Sequence, residues 1–221
     1  MKNVIVVAPH PDDETLGCGG TLLKHYQNGD RIHWLIITKM TKEVGFTNKQ
    51  ILTRKSEIKK VSALYNFHTT TQLNFTTTKL DKSDKNNLIK KISSVFSKIK
   101  PHTVYVPFLH DVHSDHSVVA SAVDSCIKSF RAPYLKRVAC YETLSETEQS
   151  VTAQRVFKPN LWIDISDFIE KKIKILNIYK SEVSDHPFPR SESNVRALST
   201  FRGSMANMIA AESFQILKEI N

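Results

Sequence analysis

Near its start the chain carries an uninterrupted apolar run, Val4-Ile5-Val6-Val7-Ala8. A run of that length without alternation predicts a strand covered on both faces. The same reading gives strands at Ile32–Ile37, Thr103–Pro107, Arg137–Tyr141 and Leu161–Ile165, and a short one around Gln72–Phe75. Between these runs the spacing turns helical. Over Asp84–Ile99, the residues Leu88, Ile92, Val95 and Ile99 recur at intervals of four, three and four, which puts them on one helix face. Asp84 is a natural N-cap and Pro101 follows the end. Thr15–Asn28 reads as a helix that stops at Gly29, and Thr47–Asn66 as one with Ile51, Ile58, Val61 and Tyr65 on a shared face. Ser114–Phe130 is helical too. Another helix starts at Ser166 or Asp167 and runs to about Glu182, and Glu192–Ile220 reads as mostly helical around Arg202-Gly203.

Strands that alternate with helices predict an α/β fold. Right-handed crossovers then give a Rossmann-like, doubly wound, mostly parallel sheet with helices on both faces. The 221 residues suit a single domain over 1–221. Apolar residues make up 40% and charged residues 24%, as in an ordinary globular protein. No apolar run approaches the roughly 18–20 residues of a membrane helix, and the opening run is too short for a signal peptide. The expectation is a cytoplasmic protein without a membrane partner. Cys18, Cys126 and Cys140 are few, odd in number and widely spaced, so they read as buried hydrophobes rather than a disulfide framework.

Charge alters this picture only slightly. Lys and Arg number 31 against 22 Asp and Glu, a net charge of +9. They spread along the chain in pairs such as Lys59-Lys60, Lys90-Lys91 and Lys171-Lys172. Nucleic-acid binders concentrate their charge, so no nucleic-acid partner is expected. A solvated surface accounts for the pattern, and what remains favours an anionic small substrate.

In an open parallel sheet ligands sit beyond the carboxyl ends of the strands. After the first strand comes Pro9-His10-Pro11-Asp12-Asp13-Glu14, an imidazole and three carboxylates in five residues. Gly17-Cys18-Gly19-Gly20 lies further on and does not match the G-x-G-x-x-G spacing of a dinucleotide cradle. After the strand ending at Pro107 comes His110-Asp111-Val112-His113-Ser114-Asp115-His116, three histidines and two acids in seven residues. Two such loops at strand ends of one sheet point to a divalent metal. Imidazole and carboxylate suit Zn²⁺, which in catalytic sites keeps a position open for water. Asp12 and Asp13 are neighbours in an extended segment, so their side chains point apart and can take different tasks. His113 and His116 are three apart at a helix start and share a face.

The first loop resembles the H-P-D-D-E signature of the PIG-L/LmbE family of zinc-dependent N-deacetylases. His113-Ser114-Asp115-His116 is similar to that family's H-x-D-H motif, with Ser where Pro is common. Arg54-Lys55-Ser56-Glu57 resembles its R-x-x-E. The likeness continues through Tyr141–Glu148, Phe157–Asn160, Asp164–Ser166, His186–Ser191 and Arg202–Ser204. The resemblance implies that His10, Asp13 and His116 bind zinc. It implies Asp12 as the general base for the attacking water. His113 would stabilise the oxyanion or protonate the leaving amine, with Asp115 orienting it and keeping it protonated. The reaction implied is hydrolysis of an N-acetyl amide on a small amino sugar. The resemblance also allows a homo-oligomer.

Outside the loops, Arg54 is the best substrate ligand because a guanidinium binds hydroxyls or phosphate bidentately, with Glu57 beside it. His186 and Arg190 lie in a segment with Pro187 and Pro189 that is placed to cover a sugar. Glu14 reads as a helix-start carboxylate and His110 as a loop histidine. Two other readings stand beside the hydrolase. One is a nucleotide-binding Rossmann module or transferase, which the missing glycine fingerprint opposes. The other is a carbohydrate-binding protein that kept the metal and lost the reaction.

Overall fold

A computed structural model of the chain describes residues 1–152 and 156–221. Seven strands form one sheet: β1 (Asn3–Ala8), β2 (Arg31–Lys39), β3 (Thr69–Thr76), β4 (Thr103–Pro107), β5 (Arg137–Tyr141), β6 (Leu161–Asp164) and β7 (Ala211–Glu219). Their order is β3-β2-β1-β4-β5-β7-β6. The first five are mutually parallel, and β7 enters antiparallel between β5 and β6. The helices are α1 (Asp13–Gln27), α2 (Asn48–Tyr65), α3 (Lys85–Ile99), α4 (Ser114–Cys126), α5 (Ile169–Leu176) and α6 (Glu192–Ser204). No helix among the described residues is long and apolar enough to cross a membrane.

β1 shows why the expected doubly wound sheet forms. Ile5 and Val7 face one way, into a core with Leu88, Ile92 and Phe96 of α3 and Val119 and Val123 of α4. Val4, Val6 and Ala8 face the other, into a core with Leu16 and Leu22 of α1, Val61 and Tyr65 of α2, and Ile173 of α5. Both sets are buried, so the strand has no polar alternation. After β1 the chain winds towards β2 and β3. After β4 it winds the other way, towards β5. The carboxyl ends of β1 and β4 therefore flank the switch point where such sheets bind ligands.

Three expectations need correction. The stretch Glu192–Ile220 is not mostly helical: α6 ends at Ser204, and Ala211–Glu219 is strand β7. The helix expected to reach Glu182 stops at Leu176, and α4 stops at Cys126 rather than Phe130. In β7 the backbone partners come from β5 and β6, so tertiary pairing overrides local propensity. Beyond Leu176 and Cys126 the chain closes tight turns instead, with the Ile178 N–H on the Ile175 carbonyl at 3.0 Å and the Arg131 N–H on the Lys128 carbonyl at 2.9 Å.

The helix α1 is broken. Cys18 has φ −140° and ψ 19°, so two half-helices meet there. The freed amides of Gly20 and Thr21 donate to Glu212 at 2.9 and 2.8 Å. Lys172 Nζ donates to the Leu16 carbonyl at 2.9 Å and to Glu212 at 2.7 Å. A buried anion thus caps the second half-helix and a buried cation closes the first, as each dipole end requires. Gly17 lets the helix pass over Tyr141, since a Cβ there would lie 2.2 Å from the ring.

Candidate active site

The two acidic, histidine-rich loops converge. His10 to Asp12 leave the end of β1, Asp13 begins α1, and His113 caps α4. His10, Asp13 and His116 bring one donor atom each to within 4.8 Å of one another. The His10 Nδ1 is 3.5 Å from Asp13, and the His116 Nε2 is 3.4 Å from the other oxygen of the same carboxylate.

What holds the two rings is on their far sides. His10 Nε2 meets the Asp115 carboxylate at 2.9 Å, and His116 Nδ1 meets Asp111 at 2.8 Å. Each ring therefore gives its outer N–H to a buried carboxylate and turns its other nitrogen inward, towards Asp13. Asp111 is itself fixed by the Thr147 hydroxyl at 2.6 Å. Asp115 also accepts the amides of Thr78 at 2.7 Å and Leu80 at 3.2 Å. It pins Thr78 in the left-handed region at φ 61°, uncommon for a β-branched residue.

This arrangement corrects one expectation. The Asp115 carboxylate does not orient His113; it holds His10. The ring of His113 is set instead by the Asp115 backbone, whose N–H donates to Nδ1 at 3.1 Å. The proton of neutral His113 then resides on Nε2. Nor is the ring kept protonated. Burial, with His10 and His116 close by, lowers His113 to about 4.

The site draws positive charge to itself. Burial disfavours a charged His10, but hydrogen bonds to Asp115 and Asp13 outweigh that and raise it to about 9. Burial likewise opposes ionisation of Asp13, yet His116 and His10 hold it well below the usual carboxylate range. Two imidazoles and a carboxylate, backed by two further carboxylates, fit a divalent cation in place of those protons. Zinc is one metal this donor set accepts.

Asp12 is different. Its carboxyl is pushed up by burial, by the charge of Asp13 and by Glu182, against the pull of Arg190 and Arg54. Its backbone sits at φ 141°, a strained value. The Asp12 N–H donates to Glu14 at 3.0 Å, and Glu14 also accepts the hydroxyls of Thr15 and Tyr179. Glu14 is thus buried support for the loop, and burial raises it to about 7.

Asp12, Asp13, His10, His113 and His116 line one cavity of about 240 Å³. Arg54 and Arg190 line it too, while Glu57 and His186 do not. The Arg54 guanidinium is committed to the protein: Nε to Glu57 at 2.9 Å, Nη1 to the Pro11 carbonyl at 3.0 Å, and Nη2 to Ser181 at 3.0 Å and to Glu182. Arg54 and Glu57, read as substrate ligands, instead clamp the first loop to the 181–182 segment. Arg190 lies between Asp12 and Glu182, 3.3 Å from each. His186 is exposed against Asn194, and His110 packs edge-on to Phe108. Sequence reasoning passed over two residues. Asp111 had a signal, an acid five positions before His116. Glu182 had none, because no motif spacing links it to Arg54, 128 residues away, or to Arg190 in the following turn.

The pattern of the family described as PIG-L, GlcNAc-PI de-N-acetylase, matches residues 5–127. The diacetylchitobiose deacetylase of Thermococcus kodakarensis is 25% identical over 230 residues, covering 100% of this chain and 85% of that protein. A protein of Bacillus cereus named as a probable N-acetyl-alpha-D-glucosaminyl L-malate deacetylase 2 is 24% identical over 190 residues, covering 82% of this chain and 84% of its own. The solved N,N'-diacetylchitobiose deacetylase of Pyrococcus horikoshii superposes with a TM-score of 0.78 at 22% identity, over 98% of this chain and 84% of that one, and shares the fold.

Proposed function

The chain belongs to the PIG-L family of de-N-acetylases, and from that premise we propose a metal-dependent hydrolase that removes the acetyl group from the nitrogen of an amino sugar or its conjugate. It is an enzyme of the amide-hydrolase class. Residues 1–221 act as one catalytic domain, a reading supported by the single sheet that runs from residue 3 to 219. The substrate is a small sugar conjugate met in the cytoplasm.

His10 through Nδ1, Asp13, and His116 through Nε2 would hold the metal, with zinc the reading carried over from the resemblance. A bound zinc lowers the pKa of water and polarises the amide carbonyl. Asp12 takes the proton of the attacking water and passes it to the amine as the C–N bond breaks, so water and amide become acetate and free amine. Its raised carboxyl suits both halves of that transfer. His113, neutral with the proton on Nε2, donates to the oxygen on which negative charge develops. Arg190, 3.3 Å from the Asp12 carboxylate, steadies it.

The observation that carries this reading is the convergence of His10, Asp13 and His116 on one point, with Asp12 and His113 lining the same cavity. The test is acetate release from N-acetylglucosamine, its malate glycoside and diacetylchitobiose, with metal-free and zinc-loaded protein. Asp12→Asn is expected to cut kcat by about 10²–10⁴-fold, the usual weight of general acid–base catalysis, with thermal unfolding unchanged. Activity that survives both this change and metal removal would exclude the mechanism.

A further inference from the structure

Charge is not spread evenly along the cleft. The cavity over the metal donors carries four carboxylates, from Asp12, Asp13, Glu146 and Glu182. A second cavity of about 180 Å³ shares Lys39, Met40, Arg54 and Gln72 with it and runs on between α2 and the edge strand β3. Its lining holds no carboxylate and three cationic side chains: Lys39, Arg54 and Lys55. Arg54 is already spent on the loop clamp, where Glu57 and Glu182 balance its charge, so the free positive charge of the arm is that of Lys39 and Lys55. The side-chain ammonium groups of Lys39 and Lys55 make no hydrogen bond or ion pair among the described residues. Thr41 also lines this arm, and its hydroxyl is buried without a hydrogen-bond partner. A buried unpaired hydroxyl costs free energy unless a ligand completes it.

An acetamide at the metal site would leave the remainder of the substrate to run along this continuous cleft. We propose that the side arm is an anion subsite: Lys39, Lys55 and the Thr41 hydroxyl hold a phosphate or carboxylate on the part of the substrate remote from its acetamide. The inference rests on the deacetylase reading and narrows its substrate to an anionic N-acetyl sugar conjugate. Two mobile ammonium groups and one hydroxyl suit an oxyanion approached from several sides better than the planar bidentate geometry of a buried guanidinium. Met40, Ile51 and Ile58, with the amides of Gln72 and Asn74, line the rest of the arm, and the apolar part of that wall strengthens the attraction.

The experiment uses zinc-loaded enzyme with three substrates: N-acetylglucosamine 1-phosphate, N-acetylglucosaminyl malate and the neutral methyl N-acetylglucosaminide. Lys39→Ala/Lys55→Ala is expected to raise KM for one or both anionic substrates by tenfold or more, since each lost charge-assisted contact is worth about a factor of ten. Their kcat, and the kinetics of the neutral glycoside, should move less than twofold. The two anionic arms distinguish a phosphate from a carboxylate. Thr41→Val should give a smaller rise on the same substrate. An equal KM rise on all three substrates, or none on either anion, overturns the subsite. Should no substrate release acetate, the deacetylase reading falls by itself. Calorimetric titration with N-acetylglucosamine 1-phosphate and with malate then decides the subsite: binding abolished by the double change supports it, and binding absent or unaltered overturns it.

Discussion

A histidine ring has two nitrogens, and at this site both have a use. For His10 and His116 the outer N–H donates a hydrogen bond to Asp115 or Asp111, which leaves the inner nitrogen free to serve a metal. The motif H-x-D-H placed His113, Asp115 and His116 in the sequence, but not who holds whom. Asp115 stands two positions after His113, yet its carboxylate reaches a histidine 105 residues away. That pairing follows from adjacency of β1 and β4, which no local spacing records. Asp111→Asn keeps the shape and removes the charge that fixes the His116 ring. Metal affinity is expected to fall by about 10–100-fold, measured by competition with a chelator, while the fold persists. An unchanged affinity would show that His116 needs no such partner.

At the scale of elements, the strands buried on both faces were legible, since a strand such as β1 has no choice but to be apolar throughout. The amphipathic α3 was legible for the opposite reason. β7 was not. Its Ile216-Leu217-Lys218-Glu219 favours a helix locally, and it becomes a strand because β5 and β6 supply its hydrogen bonds. The same strand carries Glu212 into the break of α1, where it meets Lys172. Breaking a buried pair strands a charge at a cost of about 3–5 kcal/mol. Glu212→Ala should therefore lose about that much stability in urea unfolding, and more than Glu212→Ala/Lys172→Met, in which no lone cation is left. A double variant as unstable as the single one would mean that the lost amide caps dominate.

For the whole molecule, acid sensitivity has a source far from the cleft. His33 on β2 is 3% exposed, with His68 edge-on at 5.4 Å. Burial, then the nearby charges of His68 and Arg31, lower it from 6.5 to about 4. Between those values the unfolded chain binds the proton and the folded one does not, so stability falls as pH drops from about 6.5 towards 4. In His33→Gln the urea midpoint should fall less steeply over that window, and an unaltered slope would assign the acid loss elsewhere. The strand order has a different consequence. The metal donors come from the ends of β1 and β4 at the centre of the sheet, whereas the cationic arm borrows α2, the edge strand β3 and, through Lys39, the end of β2. Chemistry and selectivity are thus mounted on separate parts of the framework. The rim can be redrawn to suit a new sugar without touching the centre, provided Arg54 keeps its clamp on the Pro11 carbonyl and the amides of residues 78 and 80 keep their hold on Asp115.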